Sequence, residues 1–182
     1  MEAAAQGVIY NFNILEIVPL DGTISYEEIA HKTGLPVNRV RQVIYASILK
    51  KIFHEPVPGQ VAHTPASAML VHDRYIRALY GHILEETVQA APKLAQQLKQ
   101  NPASTSTAET SWNIAFNTKG TPFEFLDKHP DRLQRFFKAM EGISRRPGYS
   151  LNYVINGFDW AGLSEGAKVV DVCFLLLILP SP

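Results

Sequence analysis

Hydrophobic residues recur at helical spacing through most of the chain, and the polar breaks between them predict a mainly α protein. Ile14, Leu15, Ile17 and Val18 fit one buried face of a helix over residues 9–20, which Pro19 and Asp21-Gly22 then stop. Ser25-x-x-Glu28 has capping-box spacing, in which hydroxyl and carboxylate each satisfy a free backbone N–H. A short helix through Thr33 follows, closed by Gly34. Pro36 suits the first turn of the next helix, where Val37, Val40, Val43, Ile44 and Ile48 make an apolar stripe. Residues 52–64 read as a two-stranded hairpin with a tight turn at Pro58-Gly59. Helix, helix, helix, hairpin is the order of a winged-helix module. Thr64-Pro65 opens a further helical piece containing Ala68, Met69 and Leu70.

Residues 73–100 read as one long helix with Ile76, Leu79, Ile83, Leu84, Val88, Leu94 and Leu98 near one side, kinked or split at Pro92. Residues 101–110 are rich in Ser, Thr, Ala and Pro and lack an apolar period, which predicts an exposed loop. Short helices are expected at 112–116 and 122–128, and a longer one from Pro130 carrying Leu133, Phe136, Phe137, Met140 and Ile143. Helix is expected again over 149–156. Lys168-Val169-Val170-Asp171-Val172 is short and β-branched, as the first strand of a parallel sheet would be. There is no internal repeat.

Composition narrows the function classes. Seventeen basic and seventeen acidic residues cancel among 182, so no global charge draws the chain to nucleic acid or to an anionic membrane. The single cysteine, Cys173, rules out an intrachain disulfide and a cysteine-rich metal site, and it fits a reducing, cytoplasmic setting. The first eight residues lack the basic and apolar blocks of a signal peptide. The run from Val172 to Leu179 is too short for a membrane-spanning helix.

Three constellations invite chemistry. Asn38, Arg39, Arg41 and Gln42 on the third helix are where a winged helix would meet the major groove. The expected wing, 54–60, carries Glu55 and no Lys or Arg, which disfavours phosphate contact. The six histidines include no pair at i, i+4, so a helical zinc site is not indicated. Trp112, Phe116, Phe123, Phe125, Phe136, Phe137 and Met140 crowd together in sequence. They read either as core or as the wall of an apolar pocket for a flat aromatic ligand, and spacing alone favours core.

Family resemblance shifts that balance. Glu28-Ile29-Ala30, Thr33-Gly34, Phe116-Asn117, Pro122-Phe123-Glu124-Phe125-Leu126, Phe136-x-x-Ala139-Met140, Ser144, Gly157-Phe158-Asp159-Trp160 and Val169-Val170-Asp171-Val172 occur in this order. Together they resemble the N-terminal region of plant- and fungal-type small-molecule O-methyltransferases, over nearly the whole chain. The resemblance implies a winged-helix dimerisation module (1–72), a helical region closing over the methyl acceptor (73–163) and a vestigial first strand with an apolar tail (164–182). It implies acceptor contacts from Trp112, Phe116, Asn117, Phe123, Phe136 and Met140, with Ser144 towards S-adenosylmethionine (SAM).

The sequence departs from the family after Asp171-Val172. The family continues into a glycine-rich turn that lets the backbone approach the cofactor; here Cys173-Phe174-Leu175-Leu176 follow, whose bulk forbids that turn. The expectation is a protein that binds no cofactor and does not methylate alone. Three roles stay open. The first is a homodimeric accessory or aromatic-ligand-binding protein of secondary metabolism, paired with an intact O-methyltransferase. The second is a SAM-independent cyclase or isomerase acting on a polyketide-like substrate, with Asn113, Asn117, His82, Tyr149 and Tyr153 as its nearest polar groups. The third is a winged-helix regulator. The first asks least of the sequence. The apolar tail is expected to be buried, since a free strand of that composition aggregates.

Overall fold

A computed structural model describes residues 2–170 and shows a mainly α chain with one small sheet. The expected strand and tail beyond Val170 lie outside the described residues. Helix α1 (Glu2–Asn11) starts well before the predicted residue 9 and is separated from α2 (Ile14–Ile17) by Asn13. Asn13 adopts the left-handed conformation at φ 51°, a geometry Asn tolerates better than most residues. One helix was expected over this stretch; the left-handed residue turns it into two, and Ile9, Ile14, Leu15 and Val18 all reach the core.

Strand β1 (Ile24–Ser25) precedes α3 (Tyr26–Thr33), whose capping box forms as expected: Ser25 Oγ accepts from Glu28 N at 3.1 Å, and Glu28 accepts from Ser25 N at 3.1 Å. Gly34 closes the helix at φ 71°. Helix α4 (Val37–Ile48) begins after Pro36, which is its cap rather than its first residue. Val40 and Ile44 are fully buried, but Val37 is exposed because it sits at the open end of the stripe. The hairpin of β2 (Phe53–Val57) and β3 (Gln60–His63) turns at Gly59, φ 84°, and is antiparallel. Two strands were predicted; the sheet has three, in the order β1-β3-β2, because Ile24 and Ser25 pair with Val61 and Gln60. A two-residue strand leaves no periodic trace in sequence.

His63 closes this unit. Its Nε2 lies 3.1 and 3.0 Å from the carbonyl oxygens of Leu15 and Val18, and its Nδ1 lies 2.7 Å from Ser67 Oγ. The imidazole serves carbonyls at the end of α2 that no helical N–H can reach. Burial pushes its pKa down, against the opposing pull of the two carbonyls. The spacing of the histidines along the chain, which argues only against a helical zinc site, gives no sign of this burial.

Thr64 caps α5 (Pro65–His72), and Asp73 caps α6 (Arg74–His82). A π-helical turn (Ile83–Thr87) follows, then α7 (Val88–Ala90), a 3-10 turn (Ala91–Lys93) and α8 (Leu94–Gln100). Pro92 does break the rod, and the expected apolar side holds only in part: Leu84 is buried and Ile76 packs on the core, but Ile83, Leu94 and Leu98 are exposed, whereas Ala78, Gly81, Glu86, Ala90 and Gln97, which were not expected there, are buried. In the π turn Val88 N–H donates to Ile83 O, five residues back, so positions 81 and 86 stack where a regular helix would stack 81 and 85. A 3.6-residue period cannot follow that step.

After the predicted loop come α9 (Ser111–Phe116), α10 (Pro122–Asp127), α11 (Pro130–Ser144), α12 (Leu151–Gly157) and a 3-10 turn (Trp160–Gly162). Lys168, Val169 and Val170 form no ladder, and both valines are exposed. The strand expected there has no partner among the described residues. Helices α6 and α11 pack closely because Gly142 meets the Tyr75 backbone: a Cβ on Gly142 would lie 3.0 Å from Tyr75 Cβ and 3.1 Å from its carbonyl oxygen. Gly142→Val should accordingly destabilise the fold by about 1–3 kcal/mol. Chemical denaturation would read this, with Gly148→Ala, where a Cβ meets nothing, as the near-neutral control.

Candidate functional site: an aromatic wall on a buried carboxylate

The capping residues of the short helices set the geometry of the aromatic region. Asn113 Oδ1 accepts from Thr110 N at 2.9 Å and from Thr110 Oγ1 at 2.8 Å, while its Nδ2 donates to the carbonyls of Thr118 and Gly120 at 3.1 and 2.7 Å. Asn113 thus ties the 110–120 turn together and has no capacity left for a ligand. Asn117 ends α9 in the left-handed conformation at φ 48°, with its side chain exposed. Thr121 caps α10 through Glu124.

This places the aromatic residues in two touching sets. Trp112 lies 4.5 Å from Phe116 and 5.8 Å from Phe125, ring centre to ring centre, with Phe116 and Phe125 5.1 Å apart. His129 stacks on the far side of Phe125 at 4.1 Å. In the second set, Phe123 meets Phe136 edge-on at 5.9 Å, and Phe136 meets His82 at 5.4 Å and Phe137 at 6.0 Å. Met140 is half-buried one turn further along α11, and Ser144, at the helix end, donates its hydroxyl to Glu141 O.

Neither reading of these residues, core or closed pocket, matches the burial. Trp112, Phe116, Phe125 and Phe136 are half-buried, and Phe123 and Phe137 are 50% and 49% exposed. They form an open wall. The Trp112 indole N–H is buried and finds no acceptor among the described residues. Two open cavities, of about 420 and 290 Å³, lie elsewhere: one among Tyr153, Val154, Phe158, Trp160 and Leu163, the other between α6 and α11. Tyr149 and Tyr153 are largely exposed on the C-terminal segment, away from the wall's ring contacts.

Behind the wall sits a group that sequence reasoning missed. Glu86, in the π turn, has no exposed surface. It accepts from Arg132 at 2.8 Å and from Arg135 at 2.5 Å, both on α11, and faces His82 Nδ1 at 3.1 Å. Burial alone would raise its pKa, but the hydrogen bonds from His82 and Arg135 and the nearby positive charge outweigh it and hold the carboxyl below its ordinary value. Arg132 also lies over Phe116 and Phe125, 5.4 and 5.9 Å from their ring centres, so the same guanidinium links carboxylate to wall. Glu85-Glu86 opposite Arg132 and Arg135, an i, i+3 pair, was the available sequence signal, but complementary charges on two helices usually mark solvated faces.

On the expected DNA-reading helix, Arg41 pairs with Glu27 at 3.0 Å and lies over Tyr26, and Arg39 donates to Gln42 at 3.0 Å. The wing's Glu55 accepts from the Tyr26 hydroxyl at 2.9 Å. Among the described residues no group of three or more His, Cys, Asp or Glu could hold a metal, and no helix is long and apolar enough to cross a membrane.

A mainly helical chain with one small three-stranded sheet has the fold of the N-terminal region of O-methyltransferase structures. No family model matches the chain. It is, however, 32% identical over 164 residues to O-methyltransferase aurJ of Gibberella zeae, covering 90% of this chain and 37% of that protein. Other fungal O-methyltransferases match over a similar share. The fold matches the crystal structure of OxaC with a TM-score of 0.70 at 21% identity, over 78% of this chain and 36% of that one. It also matches the structure of a pericyclic reaction enzyme with a TM-score of 0.65 at 16% identity, over 76% and 36% of the respective chains. The chain belongs to the fungal O-methyltransferases and corresponds to their N-terminal region, spanning little more than a third of its relatives' length.

The Glu86 cluster makes a direct prediction. Glu86→Gln leaves two partly buried guanidiniums short of a counter-charge, with only Glu85 left near Arg132, and should cost about 2–4 kcal/mol. Because the folded carboxyl titrates below its unfolded value, its contribution is complete above about pH 4.3 and drains away as pH falls through the folded pKa. Urea melts from pH 7 to pH 3 should show this acid-side loss in the native protein and a shallower slope in Glu86→Gln.

Proposed function

We propose that this chain acts as the dimerising, acceptor-facing part of an O-methyltransferase system of fungal secondary metabolism. Its role is to present one wall of an aromatic-substrate site, not to carry methyl chemistry by itself. The observation that carries this reading is the open aromatic wall. Six rings in two contacting sets of three, half-buried or exposed, with a paired buried carboxylate behind them, are the form expected of one side of a shared site. In this reading Trp112, Phe116, Phe123, Phe136 and Met140 meet a flat acceptor, Asn117 borders it, and Ser144 lies towards the cofactor side. A free indole N–H at Trp112 would suit a carbonyl or phenolic oxygen.

Residues 1–72 would serve as the dimerisation module and 73–163 as the acceptor lid. The DNA-facing alternative finds little support, since Arg41 and Glu55 are already engaged within the module. The partners proposed are a second copy of the chain and an intact O-methyltransferase. No SAM binding is proposed for the chain alone, on the chemistry of the sequence that follows Asp171, where bulky residues stand in place of glycine. A second reading, a SAM-independent cyclase or isomerase that holds a polyketide-like substrate in a reactive shape, draws on the fold likeness to the pericyclic enzyme. Of its candidate polar groups, Asn113 is spent on its turn and His82 faces Glu86, which leaves Asn117 at the wall's border.

Light scattering should give the mass of a dimer, and calorimetry with SAM should give no heat of binding. Planar phenolic compounds should quench Trp112 fluorescence, with affinity reduced at least about tenfold in Phe116→Ala. Tight SAM binding would overturn the non-catalytic reading, and a planar probe that binds Phe116→Ala as well as the native protein would overturn the wall. Turnover of a polyketide-like substrate without SAM would favour the second reading.

A further inference from the structure

Between α1, α6 and α11 lies an open cavity of about 290 Å³ lined by Tyr10, Arg74, Arg77, Ala78, Asp131, Gln134, Arg135 and Lys138. Four of its eight lining residues are cationic and one is acidic, in a chain whose net charge is zero. The imbalance is local.

The partners of these cations determine what remains available. Arg77 is paired with Glu16, and Arg135 gives one end of its guanidinium to Glu86. Arg74 donates to the Tyr75 hydroxyl at 2.7 Å, a neutral acceptor, and neither Arg74 nor Lys138 forms an ion pair among the described residues. Among the described residues, Arg135 Nε is buried and meets no acceptor at hydrogen-bond geometry, although the Tyr10 side chain interacts with this guanidinium. A buried guanidinium N–H left unmet costs free energy, and four donors around one concavity point to an oxyanion as what meets it.

The structure assigns this cavity, we infer, as a binding site for a small multivalent oxyanion, a diphosphate or a di- or tricarboxylate. It is held by Arg74 and Lys138 at the rim and by Arg77 and Arg135 within. The shape supports the assignment. Gly81 admits the Tyr10 ring so closely that a Cβ there would lie 2.2 Å from the Tyr10 hydroxyl, which brings α1 against α6 and walls the cavity on its third side. A monovalent ion would leave most of the donors unmet, whereas two or three anionic groups can engage them together. The site is separate from the aromatic wall, and its assignment does not rest on any role in methyl transfer.

The test is thermal stability and calorimetry of the whole chain with pyrophosphate, with citrate, and with sodium chloride at matched ionic strength. Pyrophosphate or citrate should raise the melting temperature and bind with one-to-one stoichiometry, and whichever arm is stronger identifies the anion as phosphate or carboxylate. In Arg74→Gln/Lys138→Gln the native melting temperature should persist, since Arg74 is exposed and neither residue holds the buried carboxylate, while affinity should fall by about a hundredfold. If either anion stabilises no more than matched salt does, or binds the double variant as tightly as the native chain, the cavity is not an anion site. If the double variant fails to fold, Gln134→Glu serves instead. Placing a carboxylate in the cavity should abolish anion binding, and binding that survives it would overturn the assignment.

Discussion

A carboxylate cannot lose all its exposed surface unless something replaces the water it gives up, and in this chain that requirement fixes the relation between two helices. Glu86 is fully buried, and the groups that compensate it come from elsewhere in the sequence: Arg132 and Arg135 from α11, and His82 from one turn before it. Two arginines three residues apart on one helix can reach the same oxygen only if that helix lies directly across the π turn. The contact of Gly142 with the Tyr75 backbone, near the other end of the same pair, fixes the separation. Charge at one end and a missing side chain at the other define the register between α6 and α11.

The π turn makes the arrangement possible. Ala78, Gly81 and Leu84 bury themselves at ordinary helical spacing, the π turn brings in Glu86 five residues after Gly81, and Ala90 follows four residues on. In an uninterrupted helix Glu85 would point at α11 and Glu86 would turn away. The extra residue in the turn thus selects which of two adjacent glutamates is buried. It also rotates the following apolar residues outward, which is why Leu94 and Leu98 are exposed despite a helical period that predicts burial.

What could be read from the sequence follows from this distinction between local and non-local causes. Ser25-x-x-Glu28, Thr64-Pro65, Gly34 and Pro92 act on their own neighbours, and each marks a helix end or break where its chemistry requires one. The Val40–Ile44 stripe was legible because it obeys a regular period. His63 was not legible, since its partners are carbonyls about forty-five residues away and an isolated histidine in sequence has no signature of burial. Strand β1 was too short to register. The aromatic residues were recognisable as a group, but their burial was not: whether rings at helical spacing form a core or an open wall depends on what covers them, and spacing carries no information about that.

Glu86 also joins the two surfaces of functional interest. Arg132 carries its charge to the faces of Phe116 and Phe125, while Arg135 carries it to the cation-lined cavity beside Tyr10. One carboxylate therefore holds two arginines, one lying over the aromatic rings and the other lining the cavity. An oxyanion bound in the cavity would compete with Glu86 for Arg135 and leave more of the carboxylate for Arg132, drawing that guanidinium off the rings. Linkage makes the effect reciprocal: a ligand on the aromatic wall that pushes Arg132 off the rings towards Glu86 would loosen the hold of Glu86 on Arg135 and strengthen the anion site by the same factor. The coupling needs no large motion, only two arginines sharing one acceptor that has no water to replace either of them.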